Sequence, residues 1–544
     1  MKAIITIIAV MFLFVSCTDR EKDFEKVKNS ISDDQMKSFV ETISDDSFKG
    51  RMPFSQTEQK TIDFLAQELK NIGFEPAFGK SYFQEVPMVG ITSQVIGEVT
   101  LDFASKWKYG LFQSNKISLC STADVAIHSS RPVEKIEIEE AEMVFCGFGI
   151  DAPEYVWNDF DGISVKNKVI VVLINDPGLY SENNDKKFFN GRDLTYYGRW
   201  TYKFEEAARR GAAGVLIIHD DYGAGYGYYV ASRSAQMTNL YINDPELLMS
   251  RCKIEGWISS DAASKIFLKL GYDLSELRSA AAKRGFKSFE MKTKFSCLIN
   301  NTKEYKKSYN VAGILKGNSK LNKAIIITGH WDHFGVVKNI TKSDEGKIDS
   351  IYNGAVDNAT TMAWALEIGR SFKKLKYRQE HSVMILFPTA EEQGLLGSKY
   401  YVEHPAIPID KTIACLNNDM MVPRGKMKDL MLIGYGYYPK LDSLYESAAK
   451  KQGRYVTSDL DARMGLFFRS DQFSFHKKGI PSSWAMGCYD SRENGKEWAL
   501  DSWNKFLKEV YHTTKDEYDL NWDWSGIVED TQIAFEVAYR LCNE

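Results

Sequence analysis

The segment "NKAIIITGHWDHFG", residues 322–335, shows where one strand of this chain ends and which polar residues follow it. The run from Ala324 to Thr328 is apolar and largely β-branched, which is typical of a short strand buried on both faces. Helical stretches such as "TTMAWALEIGRSFKKL" separate it from three similar runs: Val383–Phe387, Ile413–Leu416 and one ending near Met486. This alternation predicts an α/β domain with a mainly parallel sheet sandwiched by helices.

Acidic and imidazole side chains follow several of these runs. In parallel sheets, ligands bind beyond the carboxyl ends of the strands, so side chains placed there are candidates for a site. Any one of them has a structural explanation, because an aspartate at a strand end often caps a helix. Their recurrence in one domain favours a shared site formed by His330, Asp332, His333, Asp357, Glu391, Glu392, Asp419 and His512.

The adjacent glutamates of "PTAEEQGLLGS", residues 388–398, indicate the kind of site. Two neighbouring carboxylates repel each other, and bound divalent cations would offset that repulsion. Zinc binds imidazole nitrogen and carboxylate oxygen, and two zinc ions about 3.5–4 Å apart can hold one water molecule between them. One glutamate can then bind metal while its neighbour accepts the proton of that water.

Five motifs carry a resemblance to a known family. In chain order they are "TGHWDHFG", "NGAVDNAT", "TAEEQGLLGS", "NNDMM" and "YHTTKDEYD". Together they resemble the co-catalytic zinc aminopeptidase family, which also contains glutamate carboxypeptidase II, the transferrin receptor and glutaminyl cyclase. The upstream "DDSFKGRMPFSQTEQKTIDFLAQELKNIGF" resembles the start of the same catalytic domain. Residues from about 120 to 300 are similar to an inserted protease-associated domain, most clearly in "FGIDAPEYVWNDFDGISVKNKVIVVLINDPG".

The resemblance implies two Zn²⁺ ions per chain and a role for each site residue. The ligands would be His330 and Asp419 for the first ion, Glu392 and His512 for the second, and Asp357 for both. The remaining roles would be Glu391 as general base, Asp332 orienting His330, Tyr511 stabilising the developing oxyanion, and His333 as a structural residue. A cis peptide bond after Asp357 is also implied. Two positions depart from the family pattern. Thr361 stands where glycine is frequent, and this difference should affect only helix packing. Gln472 stands where histidine is frequent, and this difference should affect substrate specificity rather than catalysis.

The predicted organisation is a signal over residues 1–17, two peptidase parts over 25–115 and 305–544, and the protease-associated domain over 120–300. That inserted domain is predicted to be β-rich, with one or two helices. In the first part, "SQTEQKTIDFLAQELKNIGFEP" predicts an amphipathic helix that starts at a capping box of Ser55 and Glu58 and stops at Gly73.

The N-terminal segment "MKAIITIIAVMFLFVSC" has an apolar run that is too short to span a bilayer. It resembles a bacterial lipoprotein signal, so we expect an exported protein, periplasmic or at the cell surface, anchored to a membrane through a lipid on Cys17. The alternative is an ordinary cleaved signal. The other cysteines are scattered and form no C-x-x-C pair, so neither a disulfide framework nor a zinc ribbon is predicted.

Composition narrows the choice of partners. The chain has 544 residues, of which 44% are hydrophobic, so it can bury a large core. Its net charge of −4 and lack of a long basic run argue against nucleic acid. The sequence therefore predicts an exported zinc exopeptidase acting on peptides, most simply an aminopeptidase. The alternatives are a carboxypeptidase or glutaminyl-cyclase-like enzyme, and a non-catalytic binding protein, which the complete set of ligands disfavours. The oligomeric state is not predicted.

Overall fold

The computed structural model describes residues 19–103, 115–181, 183–342 and 348–544. The predicted signal with Cys17 lies outside these residues. The chain forms two compact units. Unit 1 contains the chain up to Val86 together with Lys307–Asp459 and Leu466–Glu544, and unit 2 contains Pro87–Lys306 and Leu460–Gly465. The predicted domain boundaries, including a protease-associated domain, remain a prediction.

The strands of both units are β1 (Glu75–Pro76), β2 (Phe83–Val95), β3 (Val99–Phe103), β4 (Lys116–Leu119), β5 (Val125–His128), β6 (Lys135–Phe145), β7 (Asp151–Ala152), β8 (Trp157–Asn158), β9 (Val169–Leu173), β10 (Gly214–Ile218), β11 (Asn239–Ile242), β12 (Ile254–Ile258), β13 (Phe289–Leu315), β14 (Ala324–Thr328), β15 (Gly335–Lys342), β16 (Ile348–Tyr352), β17 (Ser382–Phe387), β18 (Thr412–Asn417), β19 (Asp429–Ile433), β20 (Tyr455–Thr457) and β21 (Ser482–Met486).

The α-helices are α1 (19–28), α2 (Asp34–Ile43), α3 (Glu58–Asn71), α4 (Trp200–Arg209), α5 (Asp221–Ala224), α6 (Tyr228–Gln236), α7 (Pro245–Ser250), α8 (Ser260–Leu270), α9 (Leu274–Ala281), α10 (Thr361–Lys374), α11 (Leu396–Glu403), α12 (Pro439–Lys451), α13 (Gln472–His476), α14 (Gly495–Glu509) and α15 (Ser525–Asn543). Within the described ranges, no helix has both the length and the apolar character needed to cross a bilayer.

The sheet of unit 1 has the order β1–β13–β17–β14–β18–β21–β19–β20. Its central strands β17, β14, β18 and β21 are parallel to one another. Alternate residues of β14 face opposite sides: Ile325 packs in the same core as α10 and α15, and Ile326 packs with Tyr401 and Phe475 from α11 and α13. The prediction of a mainly parallel sheet covered on both faces is therefore confirmed.

Unit 2 contains four parallel strands in the order β6–β9–β10–β12, with β5 antiparallel beside β12. Six helices, α4 to α9, lie in its described residues, so the prediction of one or two helices was too low. Several of these helices are short and begin at polar caps rather than in long apolar runs. Ser259 accepts a hydrogen bond from the amide of Ala262, and Asp273 accepts from those of Ser275 and Glu276.

Helix α3 forms where the sequence predicts a helix, but its start differs. The helix begins at Glu58, and the predicted capping box does not form. The carboxylate of Glu58 instead accepts hydrogen bonds from the Ser308 hydroxyl and the Phe54 amide, each at 2.5 Å. The side chain is therefore shared between a nearby amide, which is not that of Ser55, and a hydroxyl that is distant in sequence. The stop at Gly73 is confirmed, since this glycine has a φ of 82°.

Candidate metal centre

Five loops of unit 1 meet beyond the carboxyl ends of its parallel strands. Each loop carries predicted site residues: His330 and Asp332 after β14, Asp357 before α10, Glu391 and Glu392 after β17, Asp419 after β18, and Tyr511 and His512 between α14 and α15. The structure brings these side chains into one cluster, whose geometry is described below.

The first group in the cluster is centred on His330. Its Nδ1 lies 3.0 Å from the main-chain carbonyl of Asp332, to which it donates a hydrogen bond, because a carbonyl can only accept. This bond leaves Nε2 facing three carboxylates, 3.3 Å from Asp357 Oδ1, 3.5 Å from Asp419 Oδ1 and 3.7 Å from Glu391 Oε2. Burial alone would lower the pKa of His330, but the carboxylates of Glu391 and Asp419 raise it well above its usual value. The site therefore favours positive charge at this position.

The second group is centred on Glu392. His512 Nε2 lies 3.3 Å from Glu392 Oε2 and 3.1 Å from Asp357 Oδ2. On its other side, Glu392 Oε1 accepts a hydrogen bond from His333 Nδ1 at 2.7 Å. Glu392 therefore stands between two imidazoles. His333, predicted to be only structural, directly contacts a predicted ligand.

Asp357 is shared by the two groups, since its two carboxylate oxygens face His330 and His512 respectively. It lies in a helical turn over Ala355–Thr360, and the peptide bond from Asp357 to Asn358 is cis, as the resemblance implies. Asp516 fixes this turn, because its carboxylate accepts hydrogen bonds from the amides of Val356 at 2.8 Å and Asp357 at 2.9 Å.

Asp332 orients two parts of the site with two different groups. Its main-chain carbonyl holds His330, while its carboxylate Oδ1 is 3.8 Å from that ring. The carboxylate accepts hydrogen bonds from the amides of Glu391 at 2.9 Å and Glu392 at 3.3 Å. Asp332 thus fixes the main chain of the glutamate pair relative to the imidazole.

The donor set fits a divalent metal. Among the described residues, Asp357 Oδ1, Asp419 Oδ1 and His512 Nε2 are buried without a hydrogen-bond partner. Buried polar atoms in native proteins nearly always have a partner, so these three point to a cation as theirs. The ligand atoms of each of three groups lie within 4.8 Å of one another: His330, Asp357 and Asp419; His333, Asp357 and Glu392; and His330, Glu391 and Glu392. Imidazole nitrogen combined with carboxylate oxygen suits zinc.

The two adjacent glutamates have opposite charge preferences. Burial raises the pKa of Glu391 well above its usual value, and the carboxylates of Asp419 and Glu392 act in the same direction, against His330. Burial and Asp357 would also raise the pKa of Glu392, but the imidazoles of His512 and His333 lower it to about 2. Glu392 is thus held as a carboxylate, whereas Glu391 readily takes a proton.

Tyr511 lies against His512, with ring centroids 3.7 Å apart. Burial raises the pKa of its hydroxyl well above the usual value, and the carboxylates of the site, Asp357 first among them, act in the same direction. The hydroxyl therefore stays protonated at neutral pH and is available as a hydrogen-bond donor.

The two departures from the family have structural explanations. Gln472 is buried, and its side-chain amide accepts a hydrogen bond from Asn417 Nδ2 at 2.6 Å and donates to the Phe467 carbonyl at 2.8 Å. It therefore joins the start of α13 to the end of β18. Thr361 packs against the loop after β14, since a Cβ on Gly329 would lie 2.3 Å from Thr361 Cγ2.

Residues 310–536 match the model of peptidase family M28. A relative described as probable leucine aminopeptidase 2, from Aspergillus oryzae, is 29% identical over 214 residues, which cover 37% of this chain. The matched segment spans only 38% of that relative's length. The family match covers less than half of the chain, and it is this region, from residue 310 to residue 536, that is similar to peptidase family M28.

Two solved structures extend the comparison over nearly the whole chain. An aminopeptidase from Aneurinibacillus sp. strain AM-1 is 19% identical, with a TM-score of 0.50 and a coverage of 96% of both chains. A zinc aminopeptidase from Bacillus subtilis is 15% identical, with a TM-score of 0.42, covering 94% of this chain and 96% of its own. Because the identity is low, the likeness to the Aneurinibacillus aminopeptidase supports the fold alone.

Proposed function

We propose that this chain is a zinc-dependent exopeptidase that removes N-terminal residues from peptides. The observation that carries the proposal is the glutamate pair in a buried site. Glu392 is held as a carboxylate between two imidazoles, and Glu391, whose Oε2 lies 3.7 Å from His330 Nε2, has a raised affinity for a proton. One carboxylate suited to binding a cation beside another suited to moving a proton is the arrangement that metal-assisted hydrolysis requires.

Two zinc ions would be held by side chains that already converge: His330 and Asp419 for one, Glu392 and His512 for the other, and Asp357 for both. When bound, zinc supplies Lewis acidity toward the peptide carbonyl and lowers the pKa of water. His333 would fix the orientation of Glu392 through the bond to Oε1.

Two side chains of this chain take part directly in the proposed reaction. Glu391 accepts a proton from the attacking water and delivers it to the leaving amine. The hydrogen bond that its main-chain amide donates to the Asp332 carboxylate holds it in place. The Tyr511 hydroxyl, kept protonated by its surroundings, donates a hydrogen bond to the oxyanion that develops on the carbonyl oxygen.

The charge of the site favours the amino end of a peptide. Carboxylates that metal does not fully neutralise can accept hydrogen bonds from a substrate ammonium and so position the first peptide bond. A carboxypeptidase would need a cation for the terminal carboxylate. Arg463 is engaged elsewhere, since it pairs with Asp461 at 3.4 Å and lies over the ring of Tyr222. Arg469, whose Nε is buried without a partner among the described residues, is the cation on which the alternative depends.

The direction of cleavage is tested with matched peptides. We expect release of the first residue from peptides with a free amino terminus, and little release from the same peptides after N-acetylation. An Arg469→Met variant should keep this activity. Equal turnover of both forms, or release from the carboxyl end that disappears in Arg469→Met, would overturn the aminopeptidase assignment and favour the carboxypeptidase. Metal analysis of the same sample should give two zinc ions per chain.

We also propose that the protein is exported and anchored to a membrane by a lipid on Cys17. The support is the N-terminal sequence, whose short apolar run ends at this cysteine. Stable anchoring needs more than one acyl chain. The wild-type protein should partition with membranes, and Cys17→Ala should block processing or release the protein. A wild-type protein recovered entirely in the soluble fraction, with a different first residue, would contradict the proposal.

A further inference from the structure

Arg51 connects the metal-binding loops to the beginning of the peptidase fold. Its side chain is fully buried, and four hydrogen bonds run from the guanidinium to main-chain carbonyls. The acceptors are Trp331 at 3.0 Å, Ile43 at 3.2 Å, Asn353 at 2.5 Å and Gly354 at 2.8 Å. A rigid planar fork of donors can satisfy several carbonyls at once, which a lysine ammonium does less well.

The bonded carbonyls lie next to predicted metal ligands. Trp331 directly follows His330, and Asn353 and Gly354 begin the turn that carries Asp357. The fit is close, because a Cβ on Gly354 would lie 2.6 Å from Arg51 Nη2, and this glycine has a φ of 60°. A single side chain thus holds the main chain of two loops that supply His330 and the shared carboxylate.

The charge of Arg51 also matters to the site. The carboxylates of Asp516, Asp357, Asp332 and Glu392 all interact electrostatically with the guanidinium. Repulsion among these acids is strongest when no metal is bound. A fixed positive charge beside them reduces that repulsion without occupying any ligand atom.

We propose that Arg51 is a positioning residue that keeps the metal centre preorganised, so that the ligand loops are held in place before metal binds. This inference rests on the proposed metalloenzyme function. Sequence spacing does not indicate it, because Arg51 precedes the carbonyls at Trp331 and Gly354 by about 280 and 300 residues.

Metal affinity tests the proposal without using activity. The full chain is stripped with a chelator and titrated with Co²⁺ and Zn²⁺, with the visible spectrum of the Co²⁺ form as a report on ligand geometry. The variants are Arg51→Lys, which keeps the charge but not the fork, and Arg51→Met. The matched control is Arg454→Lys, since Arg454 is also buried and bonds the Asp429 carbonyl and Asp530, none of which is a predicted ligand.

We expect both Arg51 variants to bind metal at least tenfold more weakly, with a changed Co²⁺ spectrum, and Arg454→Lys to bind as the wild type does. A folded Arg51→Lys with wild-type affinity and spectrum would overturn the proposal. A wild type that binds no metal would instead contradict the proposed function, so the two failures are distinguishable.

Amide hydrogen exchange of the wild type decides the question if neither variant folds. Chelation should leave the amides of residues 330–333 and 353–357 as protected as in the zinc-loaded protein. Exchange in both segments that rises to the rate of exposed loops after chelation would show that metal, rather than Arg51, orders them.

Discussion

At the residue scale, the behaviour of a side chain in this protein follows from its neighbours in space. Glu391 and Glu392 are identical and adjacent in the chain, yet Glu391 faces His330 among other carboxylates, while Glu392 lies between His333 and His512. Their pKa values consequently move in opposite directions. The pair therefore offers a direct test of how the two roles are divided.

Glu391→Gln should retain both zinc ions and lose activity by a factor of about 10²–10⁴, which is typical when a general base is removed. Glu392→Gln should bind zinc more weakly, so added zinc should restore part of its rate. Metal content and turnover, measured on the same samples, check both expectations. Equal zinc content in the two variants would contradict the division of roles.

Lys203 in unit 2 is a second residue whose surroundings decide its charge. It is buried, and its Nζ has no hydrogen-bond partner among the described residues. Burial lowers its pKa to about 7, although Asp176 and Asp159 act in the opposite direction. Because the unfolded lysine keeps its proton up to about pH 10.5, the unfolded state binds more protons between pH 7 and 10.5. Stability should therefore increase with pH over this interval.

The effect on stability is measured by urea unfolding at several pH values from 7 to 10. Lys203 should contribute a slope of at most about 1.4 kcal/mol per pH unit to the free energy of unfolding. Lys203→Met should be the more stable form at pH 7, and the difference from the wild type should shrink as the pH rises. A difference that stays constant across the range would show that Lys203 is protonated in the folded protein.

At the element scale, the contact between β14 and α10 positions the first imidazole of the site. Gly329 follows the last residue of β14 and precedes His330, and the side chain of Thr361 at the start of α10 fills the space beside it. A methyl group added to Gly329 has no room, since its carbon would lie 2.3 Å from Thr361 Cγ2. The strand end and the helix start are therefore matched to each other.

Gly329→Ala should lower the free energy of unfolding by about 1–3 kcal/mol, as overpacking usually does, and should weaken metal binding by moving His330. The double variant Gly329→Ala, Thr361→Gly should recover most of both losses, because it opens the space that the methyl group needs. Thermal unfolding and zinc affinity of the two single variants and the double variant complete the cycle. Losses that simply add would rule out this contact as the cause.

At the scale of the whole molecule, stability and metal binding should be linked through unit 1. All the predicted ligands belong to this unit, and they converge only when its strands and helices are folded. A ligand that binds only the folded state stabilises it, by about 4 kcal/mol when the free ligand concentration is a thousand times its Kd.

Chelation should therefore lower the unfolding temperature of the protein, and restoring zinc should reverse the change. Differential scanning calorimetry measures it, with Glu392→Gln as a variant in which the shift should be smaller. If two transitions are resolved, the one that belongs to unit 2 should not move. An unfolding temperature that is independent of chelator would contradict metal binding at this site.

The local sequence was sufficient to predict the parallel sheet and to identify the candidate ligands. The runs at β14, β17 and β18 are short and apolar, and polar site residues follow each of them within a few positions, so strand ends and candidate ligands could be predicted together. Boundaries that depend on distant partners were not predictable. Glu58 illustrates this, because one oxygen of its carboxylate bonds Ser308, which the residues around the helix start do not indicate.

The arrangement around the ligands was decided only in the folded chain. Arg51 and Asp516 bond main-chain groups, and Asp332 holds the His330 ring through its own main-chain carbonyl. Every residue carries such groups, so these bonds leave no pattern in the sequence. His333 was visible in its motif, but its bond to Glu392 arises because the ends of β14 and β17 are neighbours in the sheet. Residue type thus indicated which chemistry is available, and the packing of distant segments set the charge and orientation of each group.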